Sequence, residues 1–273
     1  MSILDQHIRA QQLNAVLAGR RITAMEVTRH HDTQLRIHFT DLGGHDPAGK
    51  AVLSVCVEAE YLMLHLEGGY HFYWAGGETL YHAAPAALPK AYGVRLAFDD
   101  GDQLTILIPG MGGAMALANQ AEYAAGKMFQ TSKPRERLSA LDEDRFTFAA
   151  FLSLARSANK MVCSSFDALT DIGYLPDSLY LAGVNPKTKT QALSDEDLRR
   201  LYEAIRQVNT EILAQRGEAL EKDVYGRPGG YQRRMAGHLS KKPCPACATP
   251  VLKQSSSSGM GFYYCPTCQP LKT

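Results

Sequence analysis

Residues 244–268 read CPACATPVLKQSSSSGMGFYYCPTC. The stretch holds two Cys-x2-Cys pairs separated by seventeen residues, and each pair is spaced to place two thiolates on one tight turn. Two such turns supply the four tetrahedral sulfur ligands that Zn²⁺ prefers, with no position left for water. The sequence therefore predicts one structural zinc ion held by Cys244, Cys247, Cys265 and Cys268, with iron or a redox role as the alternative.

Charge is distributed unevenly along the 273 residues, although the formal net charge is only +1. Residues 222–273 contain eight Lys or Arg and one acid, which gives this tail a net charge of +7. The rest of the chain contains 21 basic and 27 acidic side chains, a net charge of −6. Because the local field governs contact with a polyanion, the tail predicts a nucleic-acid-binding surface, against the alternative of a solubilising segment.

Length and composition indicate two domains in a cytoplasmic protein. The 273 residues are enough for two domains of about 150 residues each. The chain has no apolar run of about 18 residues, and its first nine residues lack the pattern of a secretory signal. Cys56 and Cys163 stand alone in apolar segments, so we predict that both pack in the interior. We expect a monomer that does not contact the membrane. Its expected location is the cytoplasm, with association with the nucleoid as the alternative.

The N-terminal half is predicted to be rich in strands. A helix is expected over residues 13–22, and short runs of alternating apolar and polar residues follow at 33–39 and 61–66. Two further runs, 94–98 and 103–108, flank an acidic turn that contains glycine, which predicts a hairpin. This spacing indicates an antiparallel sandwich or barrel.

The C-terminal half is predicted to be helical. Apolar residues over 146–157 recur at helical spacing, and a shorter run covers 176–182. A longer helix opens after Ser194, an N-cap residue with Asp197 three positions on, and ends at Gly217. The expected domains are 1–125 for a β-sandwich, 126–145 for a polar linker, 146–230 for the helices and 231–273 for the zinc hairpin.

The order of these parts resembles the formamidopyrimidine-DNA glycosylase and endonuclease VIII family. Residues 177–205, DSLYLAGVNPKTKTQALSDEDLRRLYEAI, are similar to its helix–two-turn–helix module, and EKDVYGRPGGY (221–231) to its approach to the zinc hairpin. LAGRRI (17–22) and YLMLHL (61–66) are the corresponding N-terminal pieces. The resemblance implies an α+β fold with an N-terminal antiparallel β-sandwich and a C-terminal helix–two-turn–helix domain that carries a zinc hairpin.

The resemblance also implies binding of duplex DNA, excision of damaged bases and cleavage at the resulting abasic site. The family's mechanism needs an N-terminal amine, usually that of a proline, as nucleophile, followed by a glutamate that moves the protons. In this sequence Ser2 stands at the proline position and Ile3 at the glutamate position. Removal of Met1 would still expose an α-amine, so the nucleophile of an active enzyme would be the Ser2 amine or a lysine whose position the sequence does not identify.

Other positions of the family's chemistry differ as well. The resemblance implies a second glutamate where this sequence has Gln6, and a lysine where it has Glu60. It also implies an asparagine that contacts phosphate where this sequence has Tyr174, and an arginine at the tip of the hairpin where it has Met260. The Arg-Phe wedge that fills the gap left by a flipped base falls within residues 109–113, which read PGMGG. These replacements favour a zinc-containing nucleic-acid-binding protein on the repair-glycosylase scaffold, without catalysis.

Two alternatives stay open. One is an active base-excision-repair glycosylase and abasic-site lyase of the endonuclease VIII type. The other is an RNA- or ribosome-associated protein, since a module that grips phosphate does not exclude RNA. In each case we expect contacts to the nucleic-acid backbone from basic side chains near the two-turn loop and in the tail. The candidate residues are Lys187, Lys189, Arg227, Arg233, Arg234, Lys241 and Lys242.

Overall fold

The computed structural model describes residues 3–27, 40–41, 44–58, 61–85, 87–108, 114–125, 138–157, 159–166, 169–170, 174–256, 259 and 261–273. The chain divides into two compact units. Unit 1 consists mainly of Asp5–Pro134 and Ala219–Gly229, and unit 2 mainly of Arg135–Glu218 and Gly230–Thr273. The segment Ala219–Gly229 thus packs with the first unit, and the domain boundaries given above stay predictions.

Unit 1 contains two β-sheets, a short helix α2 (Gln120–Ala124) and most of helix α1 (Ile3–Leu17). Its strands are β1 (Ile22–Val27), β2 (Thr40–Asp41), β3 (Val52–Glu58), β4 (Tyr61–Leu66), β5 (Tyr70–Ala75), β6 (Glu78–His82), β7 (Val94–Phe98), β8 (Gln103–Leu107) and β9 (Ala114–Asn119). One sheet has the order β1-β7-β8-β6 and the other β2-β9-β5-β4-β3. The pairs are antiparallel except β2 with β9, which is parallel.

Both sheets and α1 share one core, because strands turn alternate side chains to the same face. Phe72 and Leu104 are completely buried there, and Trp74 donates its Nε1–H to Thr79 at 2.9 Å. The opposite face of the five-stranded sheet carries a second apolar cluster around Met63. Strands β4 and β5 are therefore covered on both faces, which explains their nearly continuous apolar sequences.

Helix α1 is the main departure from the sequence-based prediction in unit 1. It covers Ile3–Leu17 rather than residues 13–22. Leu13 and Leu17 are completely buried, and the chain then turns at Gly19, whose φ of 85° suits glycine. The last residue of the predicted helix, Ile22, belongs to β1 instead, and the strand predicted at 33–39 lies outside the described residues.

Unit 2 is built on three helices, α3 (Phe148–Arg156), α4 (Leu175–Ala182) and α5 (Asp195–Ala214). It also contains the parallel pair β10 (Leu138–Ser139) and β11 (Leu169–Thr170) and the antiparallel hairpin β12 (Leu252–Ser255) and β13 (Gly261–Tyr264). Of the predicted linker, residues 138–145 lie in this unit, and 126–137 are not described. Within the described ranges, no helix has the length and apolar character needed to cross a bilayer.

The start of α5 is fixed by a capping box. The Ser194 hydroxyl accepts from the Asp197 N–H at 3.1 Å, and the Asp197 carboxylate accepts from the Ser194 N–H at 2.9 Å. Lys272 adds an ion pair to the same carboxylate at 2.7 Å. Burial opposes ionisation of Asp197, but the hydrogen bonds from Lys272 and Ser194 outweigh it and lower its pKa to about 2.

We expect Asp197→Asn to lower the free energy of unfolding of unit 2 by about 1–2 kcal/mol, because the variant loses the ion pairs with Lys272 and Arg200 and weakens the cap. The folded-state pKa lies below the ordinary value of 3.8, so the contribution of the carboxylate is complete above about pH 4 and is lost as the pH falls towards 2. Chemical denaturation at neutral pH measures the difference. The exposed neighbour Glu196, changed to Gln, is the control and should stay within about 0.5 kcal/mol of the parent; equal losses in both variants would contradict this role of Asp197.

Candidate metal centre and nucleic-acid interface

The four cysteine sulfurs of the C-terminal motif meet at the base of the β12–β13 hairpin, all within 4.8 Å of one another. One pair lies on a turn before β12 and the other on a turn after β13. Backbone hydrogen bonds close both turns: the Ala248 N–H donates to Cys244 O, and the Gln269 N–H to Cys265 O, each at 2.9 Å. The structure thus brings together all four residues predicted to bind the metal.

The distances between sulfurs fit a shared ion. They are 3.9 Å for Cys244–Cys268, 3.4 Å for Cys247–Cys265 and 3.5 Å for Cys247–Cys268. Four sulfurs at about 2.3 Å from a tetrahedral zinc ion would lie about 3.8 Å apart. A disulfide needs about 2.05 Å between sulfurs, so none of these pairs is bonded.

The surroundings of the sulfurs are those of a closed site. Cys244 and Cys265 are 3% and 0% exposed, and Met235 and Val251 pack beside them. At the exposed corner, hydrogen bonds from the side chain and the backbone amide of Thr249 lower the pKa of Cys247 to about 6. Apolar cover on one side and a stabilised thiolate on the other suit a structural metal ion rather than one that exchanges ligands with substrate.

Gln269 joins the metal centre to the two-turn loop, which we define as residues 183–194 between α4 and α5. Its side chain is completely buried, and it donates to Val184 O at 2.8 Å and accepts from the Cys265 N–H at 3.0 Å. Its backbone oxygen accepts from the Asn185 side chain at 2.7 Å. No sequence signal points to Gln269, because a single glutamine after a cysteine motif carries no pattern of its own.

Tyr174, at the position implied for a phosphate-gripping asparagine, lies immediately before α4 in a closed polar group. Its hydroxyl donates to Glu218 Oε2 at 2.7 Å, and the Arg233 guanidinium lies 3.7 Å from the centre of its ring. Arg233 also pairs with Glu218 Oε2 at 2.8 Å. Glu218 is only 3% exposed, so its buried charge depends on this guanidinium. Arg233, a predicted nucleic-acid contact, is therefore engaged within the protein.

Arg234 has a comparable structural role. It pairs with Glu211 at 2.6 Å, while its backbone N–H donates to the completely buried carboxylate of Asp177 at 2.9 Å. The same carboxylate accepts from the Tyr231 hydroxyl and the Met235 N–H, both at 2.7 Å. These bonds hold residues 231–235, which precede the metal centre, against helices α4 and α5. Because Arg234 is paired with Glu211, less of its charge is available to nucleic acid than its sequence position indicates.

The other five nucleic-acid-binding candidates are Lys187, Lys189, Arg227, Lys241 and Lys242, and at least part of each side chain reaches solvent. None of them forms an ion pair with an acidic residue in the described part of the chain. Arg227 belongs to unit 1, where its guanidinium lies 5.1 Å from the centre of the Tyr225 ring. The four lysines belong to unit 2, two in the two-turn loop and two shortly before the first cysteine.

Comparison with known proteins connects this fold to a family. No family model matches the chain. A formamidopyrimidine-DNA glycosylase of Thermus thermophilus is 30% identical over 238 residues, which cover 81% of this chain and 83% of that protein. The chain belongs to the formamidopyrimidine-DNA glycosylase family. A second glycosylase of that name, from Variovorax paradoxus, is 28% identical over 267 residues, 93% of each chain.

Solved structures of formamidopyrimidine-DNA glycosylases have the same fold. The crystal structure of the Thermus thermophilus protein superposes with a TM-score of 0.77 at 22% identity and covers 100% of both chains. The Lactococcus lactis enzyme, bound non-covalently to DNA that contains an AP site, gives a TM-score of 0.78 at 17% identity, with 99% of this chain and 100% of that chain covered. The resemblance and the α+β fold expected from the sequence are confirmed.

Three of the positions that the resemblance implies for the family's chemistry lie within the described residues. Helix α1 begins at Ile3, and Gln6 lies within its first two turns. Gln6 is 7% exposed, and its Oε1 has no hydrogen-bond partner among the described residues. Tyr174 is the third. The remaining positions lie outside the described residues: Ser2, Glu60, Met260 and 109–113.

Proposed function

We propose that this family member binds duplex DNA through unit 2, holds one structural Zn²⁺ at its four C-terminal cysteines, and neither excises bases nor cuts the DNA backbone. One observation carries the proposal: Ile3 and Gln6 stand at the two positions where the family pattern implies glutamates. An alkyl group and an amide do not ionise in the physiological range, so neither can move the protons of a Schiff-base mechanism.

The zinc assignment rests on the chemistry of the donors. Four cysteine sulfurs with two closed turns are a soft, tetrahedral ligand set, which Zn²⁺ fills without redox change. The buried pair Cys244 and Cys265 leaves little room for a water ligand. The metal would fix both turns and, through Gln269, the two-turn loop, so it supports DNA binding without touching DNA.

Two observations support duplex DNA as the ligand: the DNA complex of a relative, and the positive charge of four lysines in unit 2. The Lactococcus lactis relative has been crystallised with abasic-site DNA, and its fold matches over nearly the whole chain. The four candidate lysines of unit 2 lie on the two-turn loop and beside the metal centre. Such side chains contact phosphate and position a protein on the duplex without reading its sequence.

We expect the affinity for an undamaged duplex to fall steeply with salt, since each neutralised phosphate releases a counterion. Replacing both Lys241 and Lys242 with Ala should reduce the slope of log K against log[salt] by about 2 and weaken binding to different sequences about equally. Fluorescence anisotropy at several salt concentrations measures both quantities.

A matched control removes two lysines from unit 1, Lys50 and Lys90, and should leave the slope close to that of the parent. Binding that does not respond to salt would exclude a phosphate-dominated interface. The same titrations with an abasic-site duplex and with structured RNA identify the preferred ligand. A clear preference for RNA would overturn the assignment to DNA.

A further inference from the structure

A second group of potential metal ligands lies in unit 1, far along the sequence from the C-terminal cysteines. Cys56 and Glu58 are two residues apart on β3, and His65 is on β4. In the sheet, Cys56 pairs with Met63, and His65 pairs with both Ser54 and His71. Because paired residues point to the same face, the three side chains converge on the face opposite the unit 1 core. We name them the Cys56 cluster.

The three donor atoms of the Cys56 cluster are spaced like ligands of one ion. The distances are 3.3 Å from Cys56 Sγ to His65 Nε2, 3.2 Å from His65 Nε2 to Glu58 Oε1 and 3.8 Å from Cys56 Sγ to Glu58 Oε1. In tetrahedral zinc coordination the corresponding separations are about 3.6, 3.4 and 3.6 Å. Each distance is therefore within a few tenths of an ångström of the value that coordination requires.

Hydrogen bonds behind His65 set the tautomer that a metal needs. Gln120 Oε1 lies 2.9 Å from His71 Nε2 and can only accept, so His71 carries its proton there. In neutral rings, His71 Nδ1 must then accept from the Nδ1–H of His65, 2.9 Å away. The lone pair of His65 Nε2 is left facing Cys56 and Glu58. Metal-binding histidines are held in the same way, with the second ring nitrogen donating to a fixed partner.

The other two ligands are also prepared for a cation. The Tyr123 hydroxyl donates to Glu58 Oε2, which orients the carboxylate with Oε1 towards His65. Cys56 packs against the apolar cluster around Met63, with its Sγ 3.3 Å from His65 Nε2. The sequence-based prediction that Cys56 packs in the interior is met only in part, since its side chain is half-buried against the cluster around Met63, whereas Cys163 is buried as predicted.

We propose that Cys56, Glu58 and His65 form a second metal site, for a borderline divalent ion such as Zn²⁺. One sulfur, one imidazole and one carboxylate are all ligands that Zn²⁺ accepts. The side chains of His65 and Glu58 are 23% and 38% exposed, so a fourth coordination position opens to solvent. Three protein ligands leave one position for a water molecule or another ligand, in contrast to the four-cysteine site in unit 2.

The test is the zinc content of the full chain, titrated with Zn²⁺ against a chromophoric chelator and checked by elemental analysis after dialysis. The parent protein should bind two ions, the second more weakly, and Cys56→Ser and Glu58→Gln should each bind one. His71→Ala should weaken the second site about 10–100-fold, since it removes the hydrogen bond that orients His65. Cys163→Ser and His82→Ala remove the same two residue types elsewhere and should retain both ions.

Each outcome decides the proposal. One ion per chain in the parent at every zinc concentration would overturn it, as would two ions in both Cys56→Ser and Glu58→Gln. Fluorescence of Trp74 reports whether each variant keeps the unit 1 core, because this residue is the one tryptophan of the chain and is 1% exposed. Glu58→Gln keeps the shape of the side chain, so loss of the second ion in this variant with unchanged fluorescence supports a ligand role.

Discussion

Cys265→Ser is expected to release zinc from the C-terminal centre and to unfold the hairpin around it, while unit 1 keeps its fold. The hairpin has little core of its own: besides the cysteines, Met235 and Val251 are the buried residues of its cluster, and Phe262 of β13 packs with the helical core of unit 2 instead. Structural zinc contributes about 10–16 kcal/mol of binding free energy in zinc-finger peptides, far more than two apolar side chains at about 1.5–3 kcal/mol each. Loss of one thiolate should therefore cost this segment most of its stability.

Two measurements report on the hairpin and on unit 1 separately in this experiment. Protease sensitivity of the hairpin should rise strongly in Cys265→Ser, whereas the emission of the buried Trp74 should stay that of folded unit 1. Addition of a strong chelator to the parent protein should reproduce the same pattern. Cys163→Ser, which removes a buried thiol outside the metal centre, is the control. A Cys265→Ser protein with parental zinc content and parental protease resistance would show that the four cysteines do not hold the ion.

Abasic-site duplexes are expected to remain intact when this protein binds them. A Schiff-base lyase needs an amine near the sugar carbon and a carboxylate that moves protons. The positions that the resemblance implies for the acids hold Ile3 and the buried amide of Gln6. Loss of one positioned acid–base group typically slows a reaction by about 10²–10⁴-fold.

The contacts around Tyr174 favour the same outcome. Where the family pattern implies an asparagine that grips phosphate, Tyr174 donates to buried Glu218 and stacks under Arg233. A substrate held without that contact would also be positioned less well for reaction, and positioning adds to the chemical loss. We therefore expect strand cleavage at least about 10²-fold slower than that of the Thermus thermophilus relative under the same conditions.

The sequence was sufficient to predict those features that depend only on residues close together along the chain. Strand β4 has the predicted bounds of 61–66, and the Ser194–Asp197 capping box begins α5 as expected. The Cys-x2-Cys pairs predicted which four sulfurs meet, because two closely spaced cysteines share a turn. Each of these signals is complete within a short segment, so no knowledge of the fold is needed to interpret it.

The sequence was not sufficient where contacts join distant segments. Arg233 is a charged residue in a basic tail, and only the fold shows that it neutralises Glu218. The Cys56 cluster depends on strand register, because a shift of one residue between β3 and β4 would turn His65 to the opposite face. Gln269 acts through Val184, 85 positions earlier in the chain. Periodicity and motif spacing contain no information on such pairs.

Borohydride trapping on an abasic-site duplex tests the proposed loss of catalysis most directly. The protein is incubated with the duplex at concentrations that anisotropy shows to be saturating, with borohydride present to reduce any Schiff base to a stable adduct. The Thermus thermophilus glycosylase serves as the positive control. We predict a covalent adduct and cleaved strand for the relative, and for this chain a bound, intact duplex without adduct. An adduct or cleaved strand formed by this chain at a rate comparable to that of the relative would contradict the proposed function.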